Sequence, residues 1–198
     1  MFIVFEGIDG SGKTTQAELL YNYLKAKTRK KCFLTREPTD NKIGLFVKSL
    51  IKKQEINPDT VELLFMADRA EHVREIKQAA KEKKIIICDR YYFSTIAYGS
   101  ALGLKTEWLE NTNKIFPEPD LTIIFDIDPK AALKRINSRK GNKQYFEKTE
   151  FLNKVRKEYK SLSKKYNNIF ILNCNGNITI PEIHKQILNI LKSNAPIV

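Results

Sequence analysis

A glycine-rich stretch directly behind a short apolar run constrains this chain more than anything else in it. Residues Gly7–Thr14 read GIDGSGKT, the spacing G-x-x-x-x-G-K-[ST], and they lie between FIVF (Phe2–Phe5) and a helical pattern. Gly7, Gly10 and Gly12 lack a Cβ, so the backbone can turn its N–H groups, including those of Ile8, Asp9 and Ser11, around a phosphate. The N-terminus of the following helix adds partial positive charge. Lys13 brings a full charge to the terminal phosphates of a nucleotide, and the Thr14 hydroxyl is a ligand for Mg²⁺. Strand, loop and helix in this order predict a site for ATP or a related triphosphate.

The rest of the chain repeats the strand–helix alternation. Candidate strands are Phe2–Phe5, Cys32–Thr35, Ile85–Cys88, Leu121–Phe125 and Ile169–Leu172. All are Ile-, Val- or Phe-rich and unbroken by charge, as parallel strands buried on both faces are. Helical periodicity covers Lys13–Lys25, Thr60–Lys83, Phe151–Tyr166 and Ile183–Leu191. The expected fold is therefore α/β, a three-layer P-loop NTPase fold with a five-stranded parallel sheet flanked by helices. With no repeat and no linker, residues 1–198 are expected to form one domain, carrying a short lid at about 135–147.

Charge narrows the partners. The formal net charge is +12, and the segment Pro129–Tyr166 alone carries thirteen Lys or Arg against three Glu. Such a block suits a polyanion, a nucleic acid or a smaller polyphosphate, or else a solvated helix face. No aromatic-interleaved basic motif accompanies it, so no nucleic-acid partner is expected. No apolar run is long enough to span a bilayer, and Met1–Phe5 is followed at once by Glu6, which suits neither a signal peptide nor an anchor. Cys32, Cys88 and Cys174 lie far apart in or beside apolar segments and read as free thiols of a reducing cytoplasm. His72 and His184, the only histidines, are expected on helix surfaces.

The segment after the third strand separates the nucleotide-binding classes. A GTPase needs NKxD after a buried strand, and the nearest match, DNKIG (Asp40–Gly44), follows the wrong strand and lacks the last Asp. A nucleic-acid-stimulated ATPase ends such a strand in Asp-Glu, whereas here Asp89 is followed by Arg90. Asp89 suits Mg²⁺ or its waters; Arg90 suits a second phosphate. The pair points to transfer onto a phosphorylated acceptor.

GIDGSGKTTQ, TREP (Thr35–Pro38), LLFMADRAEHV (Leu63–Val73), DRYYFSTIAY (Asp89–Tyr98) and the basic stretch stand in one order. With these five motifs the chain resembles the thymidylate kinases from Met1 to about Tyr166. The resemblance implies transfer of the ATP γ-phosphoryl group to dTMP, with Mg²⁺, in a cytoplasmic homodimer whose interface includes the Thr60–Lys83 helix. It implies that Asp9 faces the sugar 3′-hydroxyl, that Asp89 and Arg90 serve the metal and the acceptor phosphate, and that Arg36 and Glu37 border that phosphate. It likewise implies Phe65 stacked on thymine, Arg69 and Thr95 at the base edge, and Tyr98 against the sugar C2′.

From the residues alone, Phe65 reads first as core, Tyr98 can be a core aromatic with its hydroxyl at the rim, and Arg69 a surface partner of Glu62 or Glu71. The chain departs from many relatives at Gly99, where Gln is common and a pocket side chain is thereby lost, and at Thr39 and Asp40, where glycines are common. It also departs at Gln144 and Tyr145 in the lid, and at Gly10, where some relatives carry Arg. A mobile cation must then come from the lid, with Arg139 first and Arg135, Lys140 and Lys143 behind it. Two enzymatic alternatives remain open: a deoxynucleoside kinase using Glu37 as base, and acceptance of dUMP beside dTMP. The NCNGN turn (Asn173–Asn177) is the candidate adenine contact by position.

Overall fold

The structure is a computed structural model and describes residues 1–53, 56–140 and 146–194, without the side chains of 53, 137–140 and 146–148. Its strands are β1 (Phe2–Glu6), β2 (Cys32–Arg36), β3 (Ile85–Asp89), β4 (Leu121–Asp126) and β5 (Ile169–Asn173). All pair in parallel, in the order β2-β3-β1-β4-β5. The helices are α1 (Lys13–Lys27), α2 (Lys42–Lys53), α3 (Pro58–Lys81), α4 (Tyr92–Ala101), α5 (Thr106–Asn113), α6 (Pro129–Lys140), α7 (Phe146–Lys165) and α8 (Ile180–Asn194). They flank the sheet: α1 packs on β2 and β3 and against α8, while α4 packs against α3, α5 and α7.

Every strand runs one residue beyond its apolar pattern, and every added residue is polar: Glu6, Arg36, Asp89, Asp126 and Asn173. The ladders hold them in register, Arg36 opposite Asp89 and Asp126 opposite Asn173. The carboxyl edge of the sheet is thus a row of polar groups, on the side where open α/β sheets bind ligands. β1, β3 and β4 are buried throughout, as expected. The edge strands are not: β2 is half-exposed and Ile171 of β5 faces solvent, because an edge strand has a neighbour on one side only.

Four helices, α2, α4, α5 and α6, have no counterpart among the helical patterns of the sequence. In α4 all residues but Ala97 and Ala101 are aromatic, β-branched, Ser or Gly, weak helix formers, and burial of Tyr92, Phe93, Ile96 and Ala97 decides instead. α3 begins two residues earlier than its periodicity, with Asn57 as N-cap and Pro58 in the first turn. It ends two residues earlier, where Lys83 takes a left-handed φ of 55°. Of the expected lid at 135–147, residues 135–140 form the end of α6 and 146–147 the start of α7, while residues 141–145, with Lys143, Gln144 and Tyr145, lie outside the described residues.

The basic segment is more engaged than a solvated face would be. Arg156 bonds both oxygens of Asp126 at the end of β4, joined by Lys160 at 3.0 Å. Lys165 pairs with Glu110 of α5 at 2.6 Å. Part of the positive charge therefore fastens α7 to the sheet and to α5. The thiols of Cys32, Cys88 and Cys174 are free, with Cys32 only half-buried. No helix among the described residues is long and apolar enough to cross a membrane.

Candidate active site

The glycine loop leaves β1 and enters α1 with φ of 138° at Gly7, 81° at Gly10 and 100° at Gly12. At Gly10 the space is closed as well: a Cβ there would lie 2.5 Å from the Ala132 carbonyl oxygen of α6. The missing loop arginine therefore has a packing cause, since this position cannot carry any side chain without moving α6. Lys13 folds back on the loop, donating from Nζ to the Ile8 carbonyl at 2.9 Å. Burial first, and then the charge of Arg90, lower its pKa to about 8.

Across from the loop, the Thr14 hydroxyl lies 2.5 Å from Asp89 Oδ2. Asp89 Oδ1 is buried without a hydrogen-bond partner among the described residues. One hydroxyl and one carboxylate oxygen left open form a small hard-donor set of the kind that holds Mg²⁺ when phosphates and water complete its shell. No cluster of three or more His, Cys, Asp or Glu side chains suited to a metal occurs among the described residues.

Arg90 follows with a φ of 74°, a strained backbone for a residue with a side chain, of the kind that functional sites retain. Its Nη1 donates to the Gly7 carbonyl at 2.9 Å and to Ser94 Oγ at 3.0 Å, and its Nη2 to Asp9 Oδ1 at 2.5 Å. The ring of Tyr98 lies beneath its guanidinium, 5.4 Å away. Burial raises the Tyr98 hydroxyl to about 12, so it stays neutral. Tyr98 is half-buried and meets Phe151 and Tyr159 edge-on.

A second cluster lies along α3. Arg69 is 1% exposed, so neither Glu71 nor any surface carboxylate is its partner. Its Nε and Nη2 both reach Glu37 Oε2 at 2.8 Å, its Nη1 reaches Asn113 Oδ1 at 2.7 Å, and its Nη2 reaches Thr95 Oγ1 at 3.1 Å. The guanidinium is sandwiched by Tyr91 and Phe116, 5.3 and 5.6 Å from the ring centroids. Glu37 is buried too, its Oε1 engaged by His72 Nδ1 at 2.9 Å. Phe65 shares the α3 face but is only half-buried and stands outside the core cluster. The clusters meet where the Glu37 amide donates to the Asp89 carbonyl at 3.0 Å.

The remaining sites divide. Arg36 is exposed and held by Asp40 at 3.0 Å, while Thr39 gives its amide and hydroxyl to Asp68 at 2.8 and 2.5 Å. Arg36, Thr39 and Asp40 line a cleft of about 510 Å³ that also reaches Thr14 and Asp89. The side chain of Arg139 lies outside the described residues. Asn175 of the NCNGN turn donates from Nδ2 to the Asp126 carbonyl at 3.1 Å and accepts the Asp128 amide at 2.7 Å, which sets the turn beside the end of β4.

His72 corrects the sequence reading: it is 1% exposed, between Glu37 and the Thr35 hydroxyl 2.7 Å away. Glu6 was not anticipated at all. Fully buried at the end of β1, its carboxylate accepts the Tyr91 and Ser94 amides and the Ser94 and Tyr159 hydroxyls. Burial raises its pKa against those hydrogen bonds. Its position at the end of an apolar strand was a usable signal; Asn113, reached from α5, offered none.

The sheet order, the glycine loop and the Thr14–Asp89 pairing define a P-loop kinase fold. A family model described as Thymidylate kinase matches residues 5–187. The probable thymidylate kinase of Methanocaldococcus jannaschii is 39% identical over 98% of this chain and 96% of its own length. That of Sulfolobus acidocaldarius is 44% identical over 90% and 91%. The crystal structure of thymidylate kinase from Ehrlichia chaffeensis superposes with a TM-score of 0.78 at 31% identity, covering 96% of this chain and 98% of that one. The chain belongs to the thymidylate kinase family.

Proposed function

We propose that this chain transfers the γ-phosphoryl group of ATP to dTMP, yielding dTDP and ADP, as a single domain with its lid at about 135–147. The observation that carries the reading is the Asp89–Arg90 dipeptide at the carboxyl end of β3. Asp89 meets Thr14 of the donor loop, and Arg90 projects beside Gly7 and Asp9 of the same loop. A cation for an acceptor phosphate thus stands next to the cradle for the donor.

The chemistry asks little of a general base. A phosphate monoester has its second pKa near 6, so the acceptor oxygen is already mostly ionised at neutral pH. The difficulty is aligning two polyanions and stabilising the charge that shifts between them. The loop amides of Gly7–Thr14 and Lys13 hold the donor, Arg90 and Arg36 hold the acceptor phosphate, and Arg139 closes from the lid, excluding water. Thr14 and Asp89 hold Mg²⁺, which neutralises phosphate charge when bound. Asp9 takes the sugar 3′-hydroxyl, Tyr98 the C2′ face, Phe65 the base plane, and Arg69 and Thr95 the base edge. Glu37, with both oxygens occupied by Arg69 and His72, serves as the support of Arg69, which counts against its use as base by a deoxynucleoside kinase.

A homodimer is supported by exposed apolar side chains on the packed pair α2 and α3, Leu45, Phe46 and Ile51 on one and Leu63 on the other. Free cysteines suit a cytoplasmic setting. The test is a coupled assay for ADP formation with Mg·ATP and dTMP, dUMP, dCMP, AMP or thymidine. Turnover on dTMP far above dCMP, AMP and thymidine is expected. Turnover on thymidine without dTMP would overturn the reading.

A further inference from the structure

Glu6 is completely buried at the end of β1, yet no step of the reaction above uses it. A carboxylate is costly to bury, and an uncharged side chain of similar shape would complete the strand with a smaller penalty. Among the described residues four donors reach it. Its Oε1 accepts the Tyr91 amide at 2.9 Å and the Ser94 amide at 3.1 Å. Its Oε2 accepts the Ser94 hydroxyl at 2.5 Å and the Tyr159 hydroxyl at 3.0 Å. A surround of donors suits an ionised carboxylate, which only accepts. Burial raises the Glu6 pKa, against the Ser94 hydrogen bond and the charge of Arg90.

These contacts hold Arg90 by its backbone and by its side chain. The Arg90 amide donates to the Phe5 carbonyl at 2.9 Å, and the next amide, that of Tyr91, donates to Glu6. The peptide groups on either side of the φ of 74° are thus tied to consecutive residues of β1, the over-determination that a strained residue needs. At the side chain, Ser94 Oγ stands between the carboxylate and the guanidinium, 3.0 Å from Arg90 Nη1. A hydroxyl has one hydrogen and two lone pairs. With the Ser94 hydrogen drawn to Glu6 Oε2, a lone pair is left for the guanidinium.

We propose, on the reading of Arg90 as the acceptor-phosphate cation, that Glu6 is the positioning residue that aims it. One carboxylate oxygen fixes the backbone that follows Arg90. The other turns the Ser94 hydroxyl so that it accepts from the guanidinium. Glu6→Gln keeps an oxygen for the two amides but puts an N–H donor where Oε2 accepts two hydroxyls. Ser94 and Tyr159, 2.9 Å apart, have room for one hydrogen between them, so the second is left without an acceptor or turns against Arg90. A catalytic group misplaced by about 1 Å loses up to about a hundredfold in rate.

The experiment is a double-mutant cycle in kcat/KM for dTMP, measured at saturating Mg·ATP on the full chain: wild type, Glu6→Gln, Arg90→Ala and the two together. Glu6→Gln is expected to lower kcat/KM about tenfold or more when Arg90 is present, and less than about twofold once Arg90→Ala has been made. A residue that only supports the fold lowers the rate by the same factor in both backgrounds. Equal losses in the two backgrounds, or a loss below about twofold in a Glu6→Gln variant whose circular dichroism shows it folded, overturn the proposal while dTMP turnover stands. Should Glu6→Gln not fold, Ser94→Ala cuts the side-chain tie and keeps the Tyr91 amide bond, and the same cycle is decided by the same outcomes. Absence of dTMP turnover in the wild type overturns instead the function on which the role of Arg90 rests.

Discussion

Arg69 donates from Nε to Glu37 Oε2 across 2.8 Å, and both side chains are buried almost completely. An ion pair in that position stabilises little against an apolar pair of the same shape, but it cannot be halved cheaply. Glu37→Ala leaves a guanidinium buried between two aromatic rings with half its partners gone. The expected loss is about 3–5 kcal/mol of unfolding free energy, measurable by urea titration. A loss below about 1 kcal/mol, with wild-type affinity for dTMP, would show that Arg69 is held without Glu37.

Lys13 is expected to couple nucleotide binding to protons. With no ligand its pKa is about 8, lowered by burial and by Arg90. A bound triphosphate favours the charged amine and raises that value. Above pH 8, ATP binding should then take up a proton and weaken as pH rises toward the lysine's ordinary range. Calorimetry in buffers of different ionisation enthalpy measures the uptake directly, and none at pH 9 would contradict it. The ligand-free protein has the opposite slope. Between 8 and 10.5 its unfolded state binds more protons at this site than the folded state, so this lysine's contribution to stability grows with pH across that window.

Arg90→Ala should lower kcat/KM with dTMP by about a hundredfold or more. The cause would be loss of the acceptor-phosphate cation rather than unfolding. The side chain is 16% exposed, and Ser94 keeps its bonds to Glu6 when it is removed. Circular dichroism and initial rates together decide this, and turnover near wild type would remove Arg90 from the acceptor site.

Gly99 is a packing position in this structure. A methyl there meets Leu109 Cδ1 at 2.8 Å, in a core where Leu109 is wholly buried. Overpacking of this kind costs about 1–3 kcal/mol, against about 1 kcal/mol gained from replacing Gly by Ala inside a helix. Gly99→Ala should therefore be destabilised by about 1 kcal/mol. A melting temperature above wild type would show that Leu109 moves aside freely.

The sequence by itself determined the parallel sheet, the glycine loop and the Asp89–Arg90 pair. Those depend on contiguous residues: apolar runs long enough to be strands, glycines at fixed spacing, and a polar pair at a strand end. Reading the strands from apolar pattern alone stopped each one short of its polar last residue, because hydrophobicity marks burial whereas the ladder continues through any side chain. Tertiary structure alone decided the second cluster. Glu37 comes from the loop after β2 and Arg69, Thr95 and Asn113 from three helices, and no local pattern says which carboxylate a buried arginine will find. The same holds for His72, whose place between Thr35 and Glu37 is set by how α3 lies on the end of β2. Gly99 shows the limit most directly. A glycine in sequence reads as a side chain removed from a pocket; in the fold its missing Cβ is the space in which Leu109 and Glu62 pack. Spacing along the chain specifies where groups can be, whereas burial against other elements specifies which charges must pair and which atoms have room.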